Sequence, residues 1–347
     1  MSADWLLYAG IAGLAIVVVR LTTHGVWRAI GAYRVRRSGS RPLHTSSHRI
    51  WRDPGPVAAL DPVNGPGGAD RVPQPPFHFV KEHSRGSQPC VSVRDGRGCI
   101  WRVKWGAEVH SETFAVRLAW ACGYFAEVTH FVPSGIVEGA SDLQRAKDCI
   151  GAADGSFRDA RFELEDPAVT KMFEEHSWAW NDNPFLGTRE LNGLKVIVML
   201  LSNWDTKDRR DVARGSNTAI FEERNAHGTR EAHYLLTDWG GSMGRWGSNI
   251  VTRGRWDAEG FAAQTPQFVT GVINRCVTFG YAGQRTADVA RDIPVDHVGW
   301  LHPYLERLSG DFLTRALLAS GASGEEAARF TASLTERIAQ LGRVANS

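Results

Sequence analysis

The sequence predicts an α+β protein of two lobes. A small antiparallel β lobe with a helix is followed by a larger, mainly helical lobe, and a single N-terminal hydrophobic helix precedes both. Three observations predict it. Alternating apolar runs begin at Phe77 and lead directly into a helical pattern near residue 108. From residue 187 the apolar spacing is largely helical to about residue 343. Residues 5–19, WLLYAGIAGLAIVVV, carry no charge.

That first run is shorter than the about 20 residues a membrane span needs, but Leu21 and a snorkelling Arg20 extend it. Eight arginines and no acids lie between Arg20 and Arg52. A cleaved leader would carry its positive charge before the apolar run. The order here predicts a membrane anchor with basic flank over 1–37, single-pass in the inner (cytoplasmic) membrane, with the remainder cytoplasmic. Residues 38–76 are rich in Gly, Pro, Ser and Arg and read as a linker or an extended wrapping segment. Residues 77–186 then form the N-lobe-like region and 187–347 the C-lobe-like region.

In the N-lobe-like region FHFVKEHS, CVSVRD and CIWRVKW read as strands, with Asp95–Gly96 suited to a hairpin turn. AEVHSETFAVRLAWACGYF reads as a helix stopped by Gly123. Residues 134–186 read as short strands and loops, RDARFELED being the clearest strand. GTRELNGLKVIVMLLS reads as a buried helix capped by Thr188, EAHYLLTDWGG as a strand ending at Asp238, and PQFVTGVINRCVTFGYAG as a hairpin.

Composition narrows the function classes. The 347 residues are 43% apolar with a formal charge of +2, which suits a sizeable core and gives no nucleic-acid signature. Five scattered cysteines without C-x-x-C argue against a disulfide framework or a structural zinc site. There is no H-E-x-x-H and no G-x-S-x-G. GPGGAD, at 65–70, follows no strand and reads as linker rather than a phosphate loop.

The remaining polar pattern suits phosphoryl transfer. Lys104 ends the third strand, where a rigid backbone can hold a cation over phosphates, and Glu112 on the next helix can orient it, with Glu108 one turn earlier. Asp205, in NWDTK, follows a helix and can accept a hydroxyl proton, while Lys207 can neutralise a transferring phosphoryl group. Asp238 ends a strand before WGG and can hold Mg²⁺ against nucleotide phosphates.

In this order Lys104, Glu112, NWDTK and DWG resemble the protein-kinase-like superfamily, in its atypical HipA-like, lipid-kinase-like and secretory-pathway-kinase-like branches. Residues 75–250 also resemble a group of uncharacterised bacterial proteins sharing VKWGAEVHSE, RLAWACGY, NPFLGTRELNGLK, LLSNWDTKD and DWGGSMG. The kinase resemblance implies an ATP- and Mg-dependent phosphotransferase acting on an acceptor hydroxyl. Asp205 would then be the catalytic base and Asp238 the metal ligand, and SRGSQP would stand in for a glycine-rich loop through Gly86 and Ser87. The second metal-binding Asn of that pattern is Arg at position 210; Asn217, Asp208 or Asp211 can replace it. Arg102 shares a strand face with Lys104, where kinases keep a small residue beside the adenine; it either touches phosphate or blocks that pocket. The alternative is a membrane-tethered binding or scaffold protein without turnover.

Overall fold

The computed structural model describes residues 47–84, 86, 88–165, 169–171, 177–206, 217–224, 228–249, 251–284 and 286–346. The chain enters along β1 (His48–Arg49) and passes through short 3₁₀ turns between Val57 and Arg71. Strands β2 (Phe77–Glu82), β3 (Cys90–Arg94) and β4 (Ile100–Lys104) then form a meander, as their alternation predicts. The turn between β3 and β4 is built on Asp95, whose carboxylate accepts from the Arg97 and Cys99 amides and from the Trp101 indole.

Helix α1 (Val109–Ala121) follows and is almost entirely buried. Two long strands, β5 (Thr129–Glu138) and β6 (Ser156–Leu164), pair antiparallel. β6 also pairs with β4, and the far end of β5 meets β2 in parallel at Phe77–Val137 and His78–Glu138. The five strands thereby close as a barrel, β2-β3-β4-β6-β5. Its interior holds Phe77, Val91, Val93, Trp101, Val103, Phe157 and Phe162. The two-residue period sends the intervening residues Ser92, Arg102, Lys104, Arg161 and Glu163 to the outer face.

A short strand β7 (Val169–Lys171) precedes α2 (Arg189–Leu200), whose N-cap Thr188 accepts from the Leu191 amide as its sequence predicts. β8 (Thr218–Arg224) and β9 (Arg230–Leu236) form a hairpin within the sheet β1-β9-β8-β7. Next come α3 (Ala258–Gln264), the hairpin of β10 (Val269–Ile273) and β11 (Cys276–Phe279), and the one-turn α4 (Thr286–Val289). The chain closes with α5 (Val295–Glu306), α6 (Gly310–Ala319) and α7 (Gly324–Ala345), the last opened by a Ser323–Glu326 capping box.

Two expectations are corrected. The expected two lobes behind an N-terminal hydrophobic helix do not hold. The strands of the first half close into a barrel instead of an open small-lobe sheet, and the second half carries strands β8 to β11 beside its helices. One sheet joins β1 and β7, from before residue 187, to β8 and β9, from after it, and residues 44–347 form one unit. The physical cause is the length of β5 and β6, which lets the sheet curl until β5 reaches β2.

The second correction concerns the membrane. The expected anchor, residues 1–37, lies outside the described residues. Among the described residues no helix is long and apolar enough to cross a membrane, and the inner-membrane, single-pass placement is not carried by the structure.

From residue 47 onward, the segment read as linker or wrap contacts the rest of the chain. Trp51 donates to Cys122 O at 2.7 Å and packs edge-on against Trp300 and Tyr304. Arg117, buried in α1, donates to Val63 O at 2.9 Å, and Arg97 donates to Asp70 O at 2.6 Å.

Candidate functional site

The site begins on the outer face of the barrel. Lys104, at the end of β4, is partly buried and stands in register with Arg161 on β6. α1 lies over this face. Its Glu112 carboxylate meets Arg161 Nη1 at 2.8 Å, and Glu163 meets Arg161 Nη2 at 2.8 Å. Arg161 is 1% exposed and Glu112 3%. The expected partner of Lys104 is therefore engaged by Arg161, and Lys104 makes no ion pair among the described residues.

Glu112 nevertheless responds to the charge of Lys104 and to that of Asp238, so all three lie within electrostatic reach. Burial, the dominant influence, lifts the Glu112 carboxyl from its ordinary 4.5 to about 7 against the pull of Arg161 and Lys104, while Asp238 and Glu108 push it further up. Its folded-state pKa lies above the unfolded value, so the folded protein binds the extra proton between those limits. The stability linked to Glu112 is fully present below pH 4.5 and is lost as the pH rises through 7. Urea midpoints taken across pH 5–8 are expected to fall more steeply in the parent than in Glu112→Gln. Equal slopes would remove Glu112 as the cause.

The first turn of α1 rests on the loop after β9. Ser111 Oγ donates to Gly240 O at 3.3 Å, and Glu108 is held by Arg255 at 2.6 Å. Asp238, partly buried, turns the chain by accepting from the Gly240 amide at 3.0 Å. The two glycines after Trp239 are dictated by close approach. A Cβ on Gly240 would come within 2.6 Å of Glu108, and one on Gly241 within 2.8 Å of Asn203 Oδ1 and 3.0 Å of Asp205. Gly241→Ala is expected to cost about 1–3 kcal/mol by overpacking, read as a lowered urea midpoint. An unchanged midpoint would contradict this packing.

Asp205 reaches the same loop from α2. The helix ends at Leu200, Ser202 turns the chain in left-handed conformation, and Asn203 then links the two aspartates. Its Oδ1 accepts from the Asp205 amide at 3.2 Å, and its Nδ2 donates to Asp238 O at 3.4 Å. Asn217, also left-handed and buried, donates to Asp205 O at 2.6 Å. Trp204 N donates to Gly241 O at 3.4 Å, and the Trp204 ring lies under Arg253 and Arg255. From behind, the fully buried Arg337 of α7 donates to Leu200 O and to Ser202 Oγ, both at 2.8 Å.

The structure thus joins the loops that carry Asp205, Asp238 and Asn217 by hydrogen bonds, and Glu112 on α1 lies within electrostatic reach of Lys104 and Asp238. Gly86 is left-handed at φ +110° and its carbonyl accepts from Arg145 at 2.7 Å; among the described residues no hydrogen bond joins it to this group. Lys207, Ser87, Asp208, Asp211 and Arg210 lie outside the described residues. Sequence reasoning missed Arg161, Asn203 and Arg255. The RFE triplet carried the only signal for Arg161, since two charges flanking a core Phe on a strand share the face opposite it.

Two carboxylates and the Asn217 amide oxygen are hard oxygen ligands. Among the described residues no three of His, Cys, Asp and Glu are placed to hold a metal. An ion here would therefore take its remaining ligands from phosphate and water, as Mg²⁺ commonly does.

Comparison with protein-family models, with curated proteins and with solved structures found no match. The likeness to protein kinases therefore rests on the motifs alone.

Proposed function

We propose that the chain transfers the γ-phosphoryl group of a nucleoside triphosphate to an acceptor hydroxyl, using Mg²⁺. The observation that supports this reading is the link through Asn203, which ties the Asp205 loop to the Asp238 loop, with Lys104 and Asp238 both within electrostatic reach of Glu112. Lys104 neutralises phosphate oxygens. Asp238, with Asn217, would hold the ion, which would supply positive charge against the phosphates. Asp205 takes the proton of the acceptor hydroxyl as its oxygen bonds to the γ-phosphorus. The bond to the β–γ bridging oxygen breaks, and the nucleoside diphosphate leaves.

The test needs no knowledge of the acceptor, because transfer to protein, small molecule or water in each case releases the nucleoside diphosphate. Purified protein with Mg²⁺ and γ-labelled ATP or GTP is expected to release diphosphate or label itself, and Asp238→Ala is expected to lose metal-dependent binding. No release and no labelling with Mg²⁺ or Mn²⁺ would overturn the catalytic claim. A scaffold that holds nucleotide without turnover is the second reading. It is favoured by Glu112 pairing with Arg161, which leaves Lys104 without an ion pair among the described residues; a nucleotide-induced thermal shift without release of nucleoside diphosphate would establish it.

A further inference from the structure

On the reading above, Lys104, Asp205 and Asp238 contact only phosphates and metal, and none of them selects the base. The surface next to Lys104 does. Residue 102 lies two positions back on β4 and so on the same face, about 7 Å away at strand rise. A nucleotide with its phosphates at Lys104 and its ribose and base running back along β4 lies over Arg102.

That surface is polar and only loosely satisfied. Arg102 is 32% exposed along its side chain, with Nε 3.5 Å from Glu165 and Nη1 3.9 Å from Glu163. Its Nε is buried and makes no hydrogen bond among the described residues. Glu163 is committed to Arg161 at 2.8 Å, whereas Glu165 is 35% exposed, with Ser92 Oγ at 3.4 Å. His83 Nε2 closes the patch 2.9 Å from Ser92 Oγ. The face therefore offers a planar fork of donors beside a carboxylate.

We propose that this face selects guanine, making the phosphoryl donor GTP rather than ATP. Guanine presents O6 and N7 as adjacent acceptors, which a guanidinium meets in a bidentate pair. On its neighbouring edge N1–H and the N2 amino group are adjacent donors, which a carboxylate accepts. Adenine places its N6 amino donor against the arginine and its N1 acceptor against the carboxylate, a mismatch at both contacts.

Calorimetric titration of the full chain with Mg²⁺ and each nucleotide tests this. GTP is expected to bind roughly ten- to a hundredfold more tightly than ATP, the discrimination one bidentate contact supplies. Arg102→Ala is expected to abolish that preference without weakening ATP, and Glu165→Gln to weaken GTP alone; thermal melts of each variant confirm folding. ATP binding as tightly as GTP, or Arg102→Ala weakening both equally as a phosphate contact would, overturns the guanine assignment and leaves the phosphotransferase reading standing. Binding of neither nucleotide overturns both.

Discussion

Asp205→Asn is expected to lower the rate of diphosphate release by about 10²–10⁴ while leaving Mg-nucleotide affinity nearly unchanged. The size is that of a lost general base. The substitution keeps the shape and the amide that donates to Asn203, so the turn linking Asp205 to Asp238 survives. The contrast with Asp238→Ala is the informative part. Removing the metal ligand weakens binding itself, whereas removing the base acts on turnover at saturating nucleotide. A parallel fall in affinity and turnover in Asp205→Asn would mean that Asp205 holds the ion or the fold and moves no proton. A rate within a factor of three of the parent would exclude it from catalysis.

Arg161→Leu is expected to destabilise the protein by about 3–5 kcal/mol. Arg161 is 1% exposed and bonds two buried carboxylates at 2.8 Å each. Deleting the cation strands both acids in a low-dielectric site, which costs more than the pair contributed when intact. The triple variant Arg161→Leu, Glu112→Gln, Glu163→Gln removes the stranded charges together, so it is expected to recover much of the loss. Urea denaturation at pH 7 reads both. A cost below about 1 kcal/mol for the single variant would show that the triad is dispensable and that α1 is fixed by its apolar packing alone.

This triad is also where legibility in the sequence ended. β2, β3 and β4, the helix after them and the Thr188 cap follow from alternation, turn chemistry and helical spacing over short windows. Barrel closure does not. It depends on Phe77–Val137 and His78–Glu138 pairing across some sixty residues, and on a ten-residue β5 interrupted by Pro133 and Gly135, which reads locally as a broken strand. The same holds for the site. Lys104, Asp205 and Asp238 each stand at the end of an element, a position visible in sequence. Their connection through Asn203 is not, because Asn203 acts by bridging two turns thirty-five residues apart. Glu112 was legible as an acid on the helix after β4, but neither its burial nor its partner was: Lys104 is close in sequence, whereas Arg161 comes from a strand whose pairing with β4 only the closed sheet reveals.

The central claim is that one ammonium group and two carboxylates face a shared triphosphate. A crystal structure of the chain with Mg²⁺ and a non-hydrolysable GTP analogue measures it directly. The account expects phosphate oxygens within hydrogen-bond distance of Lys104 Nζ and an ion on Asp238, with the γ-phosphate nearest Asp205. A nucleotide bound elsewhere, or Lys104 and Asp238 contacting different molecules, would contradict it.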